Sequence, residues 1–346
     1  MQSYPDTLLS SASPDFSTDE AVLITSNHYG LEVSASPLYS YQDQNFRLRS
    51  NEGKQFVLKI SNALERPEVI DFQTRALEHI ALTDPGLPVP RTITDLNGED
   101  YCTVEDKAGC RHMVRLISWL EGQIIDETQV GPDLLQQTGR VLARLGLALK
   151  DFSHPAANHH LLWDLKNAAE LRELLPHIEQ RSLRELVNKS LGNFEQKVLP
   201  IIAGLRSQVI HSDLNCGNIV ISETTPQAVS GVIDFGDMVH TPLIMDLAIA
   251  SAYHLGETGD PLGQAVHFID GYNQVLPIQA IEAEILFELM AARLCTSITV
   301  QMWRVKLYPE NSEYLLMHNA RARTTLKHFT SSATEKSRRR IMQICK

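Results

Sequence analysis

The chain has 346 residues, 43% of them hydrophobic and 21% charged, with a formal net charge of −11. That composition is globular, long enough for one bilobal unit or two domains, and unlike that of a disordered chain. The acidic balance argues against nucleic acid and against a membrane surface as partners, since both need a basic footprint.

Residues 1–18 are rich in Ser, Pro and Asp and read as a loosely ordered start that ends in a helix cap, Ser17 or Asp19. They hold no basic segment followed by an apolar one, so no secretory signal is expected. Tyr39–Arg49 reads as one strand turning into another. Asn51-Glu52-Gly53 is a turn, and Gln55–Ile60 is a β-rich run with Lys59 near its end, giving a hairpin. Val69, Phe72, Ala76, Leu77 and Ile80 recur at helical spacing, which predicts a helix over Pro67–Leu82 with proline in its first turn. Two strands follow, around a turn near Thr103–Lys107 and along Arg111–Trp119. Glu121-Gly122 breaks the β pattern.

Beyond it the chain is mostly helical. Helices are predicted over Pro132–Lys150, Leu162–Leu174 and Ser182–Leu199, and again from Leu243 to Phe329. A β segment, Val209–Ile233, interrupts them with a hairpin of Ile219–Ser222 and Val229–Ile233 around a turn at Thr224–Pro226. The basic cluster Lys336, Arg338, Arg339 and Arg340 reads as a solvated helix face or tail. No apolar run reaches the ~18 residues of a membrane span. The five cysteines (Cys102, Cys110, Cys216, Cys295, Cys345) form no C-x-x-C pair, which suggests neither a disulfide framework nor a zinc site and fits a reducing, cytoplasmic setting.

The predicted class is therefore α+β. Residues 1–119 form a β-rich lobe with one helix, and residues 120–346 a larger, mainly helical lobe. A ligand cleft is expected between them.

The chemistry is concentrated in Val209–Asp246. His211, Asp213 and Asn218 stand at H-x-D-x-x-x-x-N spacing, and the hairpin returns the chain to Asp234-Phe235-Gly236-Asp237. Two oxygen donors from separate segments, Asn218 and Asp234, suit Mg²⁺, which keeps waters and phosphate oxygens as its other ligands. Asp213 is then the base for a hydroxyl nucleophile, and His211 braces the loop. Each residue alone would be an ordinary cap, turn or core residue; the order and spacing make the pattern specific.

Lys59 ends an apolar strand, where an ammonium has to be solvated or paired, and is placed to reach nucleotide phosphates. Its usual carboxylate partner on the next helix is replaced by Gln73, which can accept a hydrogen bond without charge; Glu68 and Glu78 are the fallback partners. The phosphate-covering segment Ser36–Asn45 holds no glycine, though Asn45 and its polar neighbours remain candidates for phosphate. Leu116–Leu120 would pass the base of ATP or GTP, with Ile117 and Trp119 as apolar contacts.

These stretches resemble the aminoglycoside phosphotransferase and choline kinase family, the small-molecule branch of the protein-kinase-like fold. QNFRL, VLKI, RLISWLEG, HSDLNCGN, GVIDFGD and MDLAIA carry the resemblance from about residue 40 to 250. DQNFRL, VLKISNA, the Gln-bearing helix, LWDL and VIDFGDMVHTPLIMDLAIA are most similar to the hydroxylysine kinase branch. The resemblance implies transfer of a γ-phosphate to a small cationic, hydroxyl-bearing substrate, with 5-hydroxylysine the expected acceptor. It implies that Asp246 anchors the catalytic loop. Asp237 and Asp164 are the candidates for the substrate's ammonium, and Arg293 for its carboxylate through a bidentate pair. An aminoglycoside, choline, ethanolamine or homoserine phosphotransferase is the alternative, and a nucleotide-binding pseudokinase is the non-enzymatic one.

Overall fold

The computed structural model describes residues 13–40, 42–125, 130–225, 228–307, 309, 316, 319–331 and 334–345. Most of the expected loose start, Tyr41 in the expected phosphate loop and Pro226 in the expected hairpin turn lie outside them. The chain divides into two compact units, Met1–Glu121 and Gly122–Lys346.

The first unit opens with α1 (Thr18–Tyr29), capped by Ser17 and Glu20 in a reciprocal capping box and closed by Gly30 in the left-handed region. A six-stranded antiparallel sheet follows. Its order is β1 (Val33–Leu38), β2 (Gln44–Ser50), β3 (Gln55–Ile60), β6 (Arg111–Ser118), β4 (Thr92–Ile93), with β5 (Cys102–Glu105) also paired to β6. The first strand lies earlier than Tyr39. Val33 and Ala35 pack on the core while Tyr39 is 70% exposed in the turn. One face of the sheet is apolar. Phe46, Leu48, Leu58, Ile60, Val114 and Leu116 meet Ala21, Ile24 and Tyr29 of α1 there. α2 (Pro67–Thr83) begins on proline, as its sequence predicts.

The second unit contains α3 (Pro132–Ala148), α4 (Arg181–Lys197), α5 (Ile244–Ala252), α6 (Ala265–Val275) and α7 (Ala280–Leu307). Leu165–His177 forms 3₁₀ turns, with Pro176 inside, where an α-helix was expected. α3 and α6 cross closely because each offers a glycine. A Cβ on Gly139 would lie 2.2 Å from the Phe268 carbonyl, and one on Gly271 would lie 2.1 Å from the Gln136 carbonyl.

α7 is long and apolar enough to cross a membrane by length and composition, but 89% of that window is buried in the fold. It is the core helix of this unit. The basic tail is not simply solvated. It forms the helix Thr334–Ile344, where Arg338 pairs with buried Glu288 and lies over the Phe287 ring at 4.4 Å. All five cysteines are free.

Two short sheets hold the loops of interest. β8 (Ser207–Ile210) pairs with β11 (Val239–Pro242), and β9 (Ile219–Ile221) pairs with β10 (Val229–Val232) and β7 (Gln123–Ile124).

Candidate active site

In the second unit, β8 delivers the chain into the loop 211–218, and the β9–β10 hairpin returns it. The Ile233 N–H donates to the Asn218 carbonyl at 3.0 Å, which sets Asp234 beside Asn218. Ser212 (φ 69) and Asp234 (φ 63) are the non-glycine residues in the left-handed region among those described. Such backbone is unfavourable for L-residues and persists only where the surroundings hold it.

The holding group for Ser212 is Asp246, at the start of α5 and 1% exposed. Its two oxygens accept from the backbone N–H groups of Ser212 (2.9 Å) and His211 (3.3 Å). His211 is fully buried. Its Nε2 faces the Ile233 carbonyl at 3.0 Å, and its Nδ1 accepts from the Asp213 N–H at 3.3 Å, an arrangement that uses one neutral tautomer. Burial pushes its pKa down, against the pull of Asp246. The Phe235 ring packs edge-on against it at 4.9 Å. His211 and Asp246 thus brace the start of the loop, and His211 ties it to Ile233.

Asp213 is partly open, with 20% of its side chain exposed. One carboxylate oxygen accepts from Asn215 (3.0 Å) and Asn218 (3.1 Å), and the other accepts from Arg293 Nη2 at 2.8 Å. Burial raises its pKa to about 6, opposed by Arg293 and reinforced by Asp234. The Asn218 amide nitrogen also donates to the Asp213 carbonyl at 2.8 Å, so the Asn218 carbonyl oxygen is the atom left for a cation. Asp234 is exposed, with one oxygen accepting from the Gly236 N–H at 3.2 Å. No cluster of three or more His, Cys, Asp or Glu is placed to hold a metal among the described residues. One amide oxygen and one exposed carboxylate fit Mg²⁺, which takes few protein oxygens when phosphate and water complete its shell.

Arg293, on α7, is 4% exposed. Besides Asp213, its Nη2 donates to the Tyr253 hydroxyl at 2.6 Å. The guanidinium also lies 5.1 Å from the Trp163 ring and 5.5 Å from the Tyr253 ring. Burial works against its charge, but Tyr253, Asp213 and Asp237 together hold its pKa above the ordinary arginine value. Both Nη2 hydrogens have protein partners, so the expected bidentate pair to a substrate carboxylate is not open. The buried Nε and Nη1 find no hydrogen-bond partner among the described residues, and they remain as donors. Tyr253 was not among the residues singled out in the sequence, where a tyrosine at a helix end gives no signal.

Asp164, a candidate for the substrate's ammonium, already has partners within the fold. It is 1% exposed, caps the turns that follow, accepts from Thr241 Oγ1 at 2.8 Å and pairs with Lys166 at 2.9 Å. A substrate ammonium would have to displace Lys166 from it.

In the first unit, Lys59 lies on β3 directly opposite Asn45 on β2 and Arg115 on β6. Gln73 does not stand idle beside Lys59. Its carbonyl accepts from Arg115 Nη2 at 2.9 Å. The fallback partners are engaged elsewhere, Glu68 with Arg66 at 3.7 Å and Glu78 with Arg75. Ile117 pairs with Val57 and Thr92, and Trp119 carries the Arg47 guanidinium over its ring at 4.3 Å.

Residues 35–278 match the phosphotransferase enzyme family, APH. The chain belongs to this family. Among curated relatives of this phosphotransferase, the hydroxylysine kinase of Mus musculus is 32% identical over 340 residues, covering 92% of this chain and 89% of the mouse protein. The Danio rerio hydroxylysine kinase is 28% identical over 342 residues, covering 95% and 96%. An amicoumacin kinase solved with AMP-PNP and Ca²⁺ superposes with a TM-score of 0.67 at 16% identity, covering 91% of this chain and 94% of that one. An AMP-bound spectinomycin phosphotransferase superposes with a TM-score of 0.64 at 12% identity, covering 92% of this chain and all of that one. The phosphotransferase therefore has the α+β, protein-kinase-like fold that its sequence predicts, and it is an enzyme with a hydroxyl acceptor.

Proposed function

We propose that this phosphotransferase moves the γ-phosphate of ATP or GTP to the hydroxyl of 5-hydroxylysine. Similarity to vertebrate hydroxylysine kinases over nearly the full chain supports the acceptor. The observation that carries the chemistry is the half-open Asp213 carboxylate, fixed on one side by Asn218 and on the other by Arg293. Asp213 accepts the hydroxyl proton as the oxygen attacks phosphorus, and His211 keeps it in place through its backbone N–H. Asn218 and Asp234 would hold Mg²⁺, which would supply charge neutralisation for the transferring phosphate. Lys59 orients the donor phosphates, Asn45 and Gln73 flank it, and Ile117 and Trp119 contact the base. Asp237 receives the acceptor's ammonium and Arg293, through Nε or Nη1, its carboxylate. A buried cation beside the base favours an acceptor with a carboxylate over a polycation such as an aminoglycoside. The five free cysteines fit a cytoplasmic setting.

The test is nucleoside diphosphate release with Mg²⁺, ATP or GTP, and an acceptor series of 5-hydroxylysine, homoserine, choline, ethanolamine and kanamycin. Turnover is expected to be fastest with 5-hydroxylysine. Faster turnover with choline or kanamycin would overturn the acceptor, and binding of nucleotide without turnover would support the pseudokinase.

A further inference from the structure

Tyr253 and Arg293 meet beside Asp213 in the second unit. Tyr253 closes α5, and Arg293 comes from the middle of α7. One Nη2 hydrogen of Arg293 goes to an Asp213 carboxylate oxygen at 2.8 Å and the other to the Tyr253 hydroxyl at 2.6 Å. A guanidinium has two edges that can grip a carboxylate with paired N–H groups. Both include Nη2: one adds Nε and the other adds Nη1. With one Nη2 hydrogen taken on each edge, neither edge keeps two open N–H groups. A further carboxylate can draw a single bond from Nε or from Nη1, and its second donor has to come from another side chain.

The Tyr253 hydroxyl is such a donor. It stands on one of the two edges, it accepts from Arg293, and it donates to no acceptor among the described residues. Burial pushes its pKa up to about 12, against the pull of Arg293, so its hydrogen stays on. On that edge the Tyr253 O–H and an N–H of Arg293 lie side by side. Nε and Nη1 are shielded from water and have no hydrogen-bond partner among the described residues, a cost that an arriving acceptor oxygen would relieve. Two half-buried rings flank the guanidinium, Trp163 at 5.1 Å and Tyr253 itself at 5.5 Å, and these are the groups that shift to admit an oxygen. An ammonium brings donors only and would set cation against cation here, so the pair suits an anion.

We infer that Tyr253 is a substrate-binding residue: its O–H and one N–H of Arg293 form a two-donor seat for the acceptor's carboxylate, which makes the enzyme select an α-amino acid over the amino alcohol that lacks the carboxylate. The inference rests on the kinase reading above. The seat takes the place of the two-pronged arginine grip that Asp213 and Tyr253 close off.

Steady-state kinetics of the full chain compare 5-hydroxylysine with 1,5-diaminopentan-2-ol, which keeps the hydroxyl and both amines and lacks the carboxylate. The wild type is expected to prefer 5-hydroxylysine in kcat/KM by roughly a hundredfold or more. Tyr253→Phe is expected to cut that preference by about tenfold. A role confined to bracing Arg293 against Asp213 would slow both acceptors equally and leave the preference where it was. Tyr253→Leu is read in the same way if Tyr253→Phe does not fold. Calorimetry with lysine and cadaverine, which lack the hydroxyl, reads the seat without turnover. Lysine is expected to bind the wild type about tenfold more tightly than cadaverine, and the gap is expected to narrow in Tyr253→Phe. An unchanged acceptor preference in the folded Tyr253 variant, or a wild type that phosphorylates both acceptors alike, would overturn the assignment and leave the kinase reading intact. A folded wild type that neither phosphorylates 5-hydroxylysine nor binds lysine would overturn both.

Discussion

Asp246 is the buried group whose removal should be felt most widely. Its two oxygens satisfy two buried backbone donors, those of His211 and Ser212, and Ser212 is held at φ 69 by that bond. Asp246→Leu leaves both donors open. An unsatisfied buried donor costs ~1–3 kcal/mol, so the gross loss is ~2–6 kcal/mol. Relief of the buried carboxylate, whose pKa burial already pushes up, offsets part of it. A net loss of ~2–4 kcal/mol is expected, a large part of the ~5–15 kcal/mol that a domain has. Asp246→Asn keeps one acceptor and turns an amide N–H toward the second donor, so ~1–2 kcal/mol is expected. With its anchor weakened, Ser212 relaxes toward ordinary backbone and carries Asp213 with it, and kcat should fall at least tenfold in a protein that remains folded. Urea denaturation at constant m-value and steady-state kinetics on Asp246→Asn check both parts. An unchanged midpoint together with an unchanged kcat would refute the reasoning.

Further expectations concern other sites. His254 is 8% exposed and stacked on Phe268 at 5.7 Å, and burial, helped by Arg321, lowers its pKa to about 4. Its folded pKa lies below the unfolded value near 6.5, so the unfolded chain binds the extra proton between the two. The stability from keeping it neutral is complete above pH 6.5 and is lost as pH falls toward 4, at up to about 1.4 kcal/mol per pH unit. His254→Gln should flatten the stability curve between pH 6.5 and 4.5, and parallel curves would count against this. Gly139→Ala drives a methyl toward the Phe268 carbonyl, 2.2 Å away, and should lower stability by at least ~1–3 kcal/mol by thermal unfolding. Arg293→Lys loses the Nη2 bonds to Asp213 and Tyr253, and kcat/KM for 5-hydroxylysine should fall by roughly 30–100-fold, the equivalent of ~2–3 kcal/mol. A loss of under threefold would remove Arg293 from the site.

Much of this architecture was legible because local signals and tertiary packing agree. Ser17, Pro67 and Pro132 mark helix starts that the structure keeps. The loop 211–218 and the return to Asp234 follow from spacing, because a short hairpin has few ways to bring its ends together. What stayed hidden depended on long-range contacts. Tyr253 and Arg293 lie 40 residues apart in the chain, and Arg293 and Asp213 lie 80 apart. Asp164 was a candidate through the resemblance alone, and the contact that engages it, from Thr241 on β11, is 77 residues away in the chain. Gln73 pointed to Lys59 by analogy, while the β3–β6 register supplies Arg115 as its donor. A signal for Arg115 did exist, in the form of a single charged residue inside the apolar run Met113–Ser118. α7 reads as apolar along its length, yet it carries buried Glu282, Glu288, Arg293 and Arg304. Composition alone does not distinguish such a core helix from a membrane span.

The most direct measurement is ³¹P NMR of the product formed from Mg²⁺, GTP or ATP, and 5-hydroxylysine by the wild-type chain and by Asp213→Asn. The account predicts a phosphomonoester on the hydroxylysine side-chain oxygen with the wild type, and at least a thousandfold slower formation with Asp213→Asn at unchanged nucleotide affinity. Phosphorylated product at a comparable rate from the Asp213→Asn variant would contradict it.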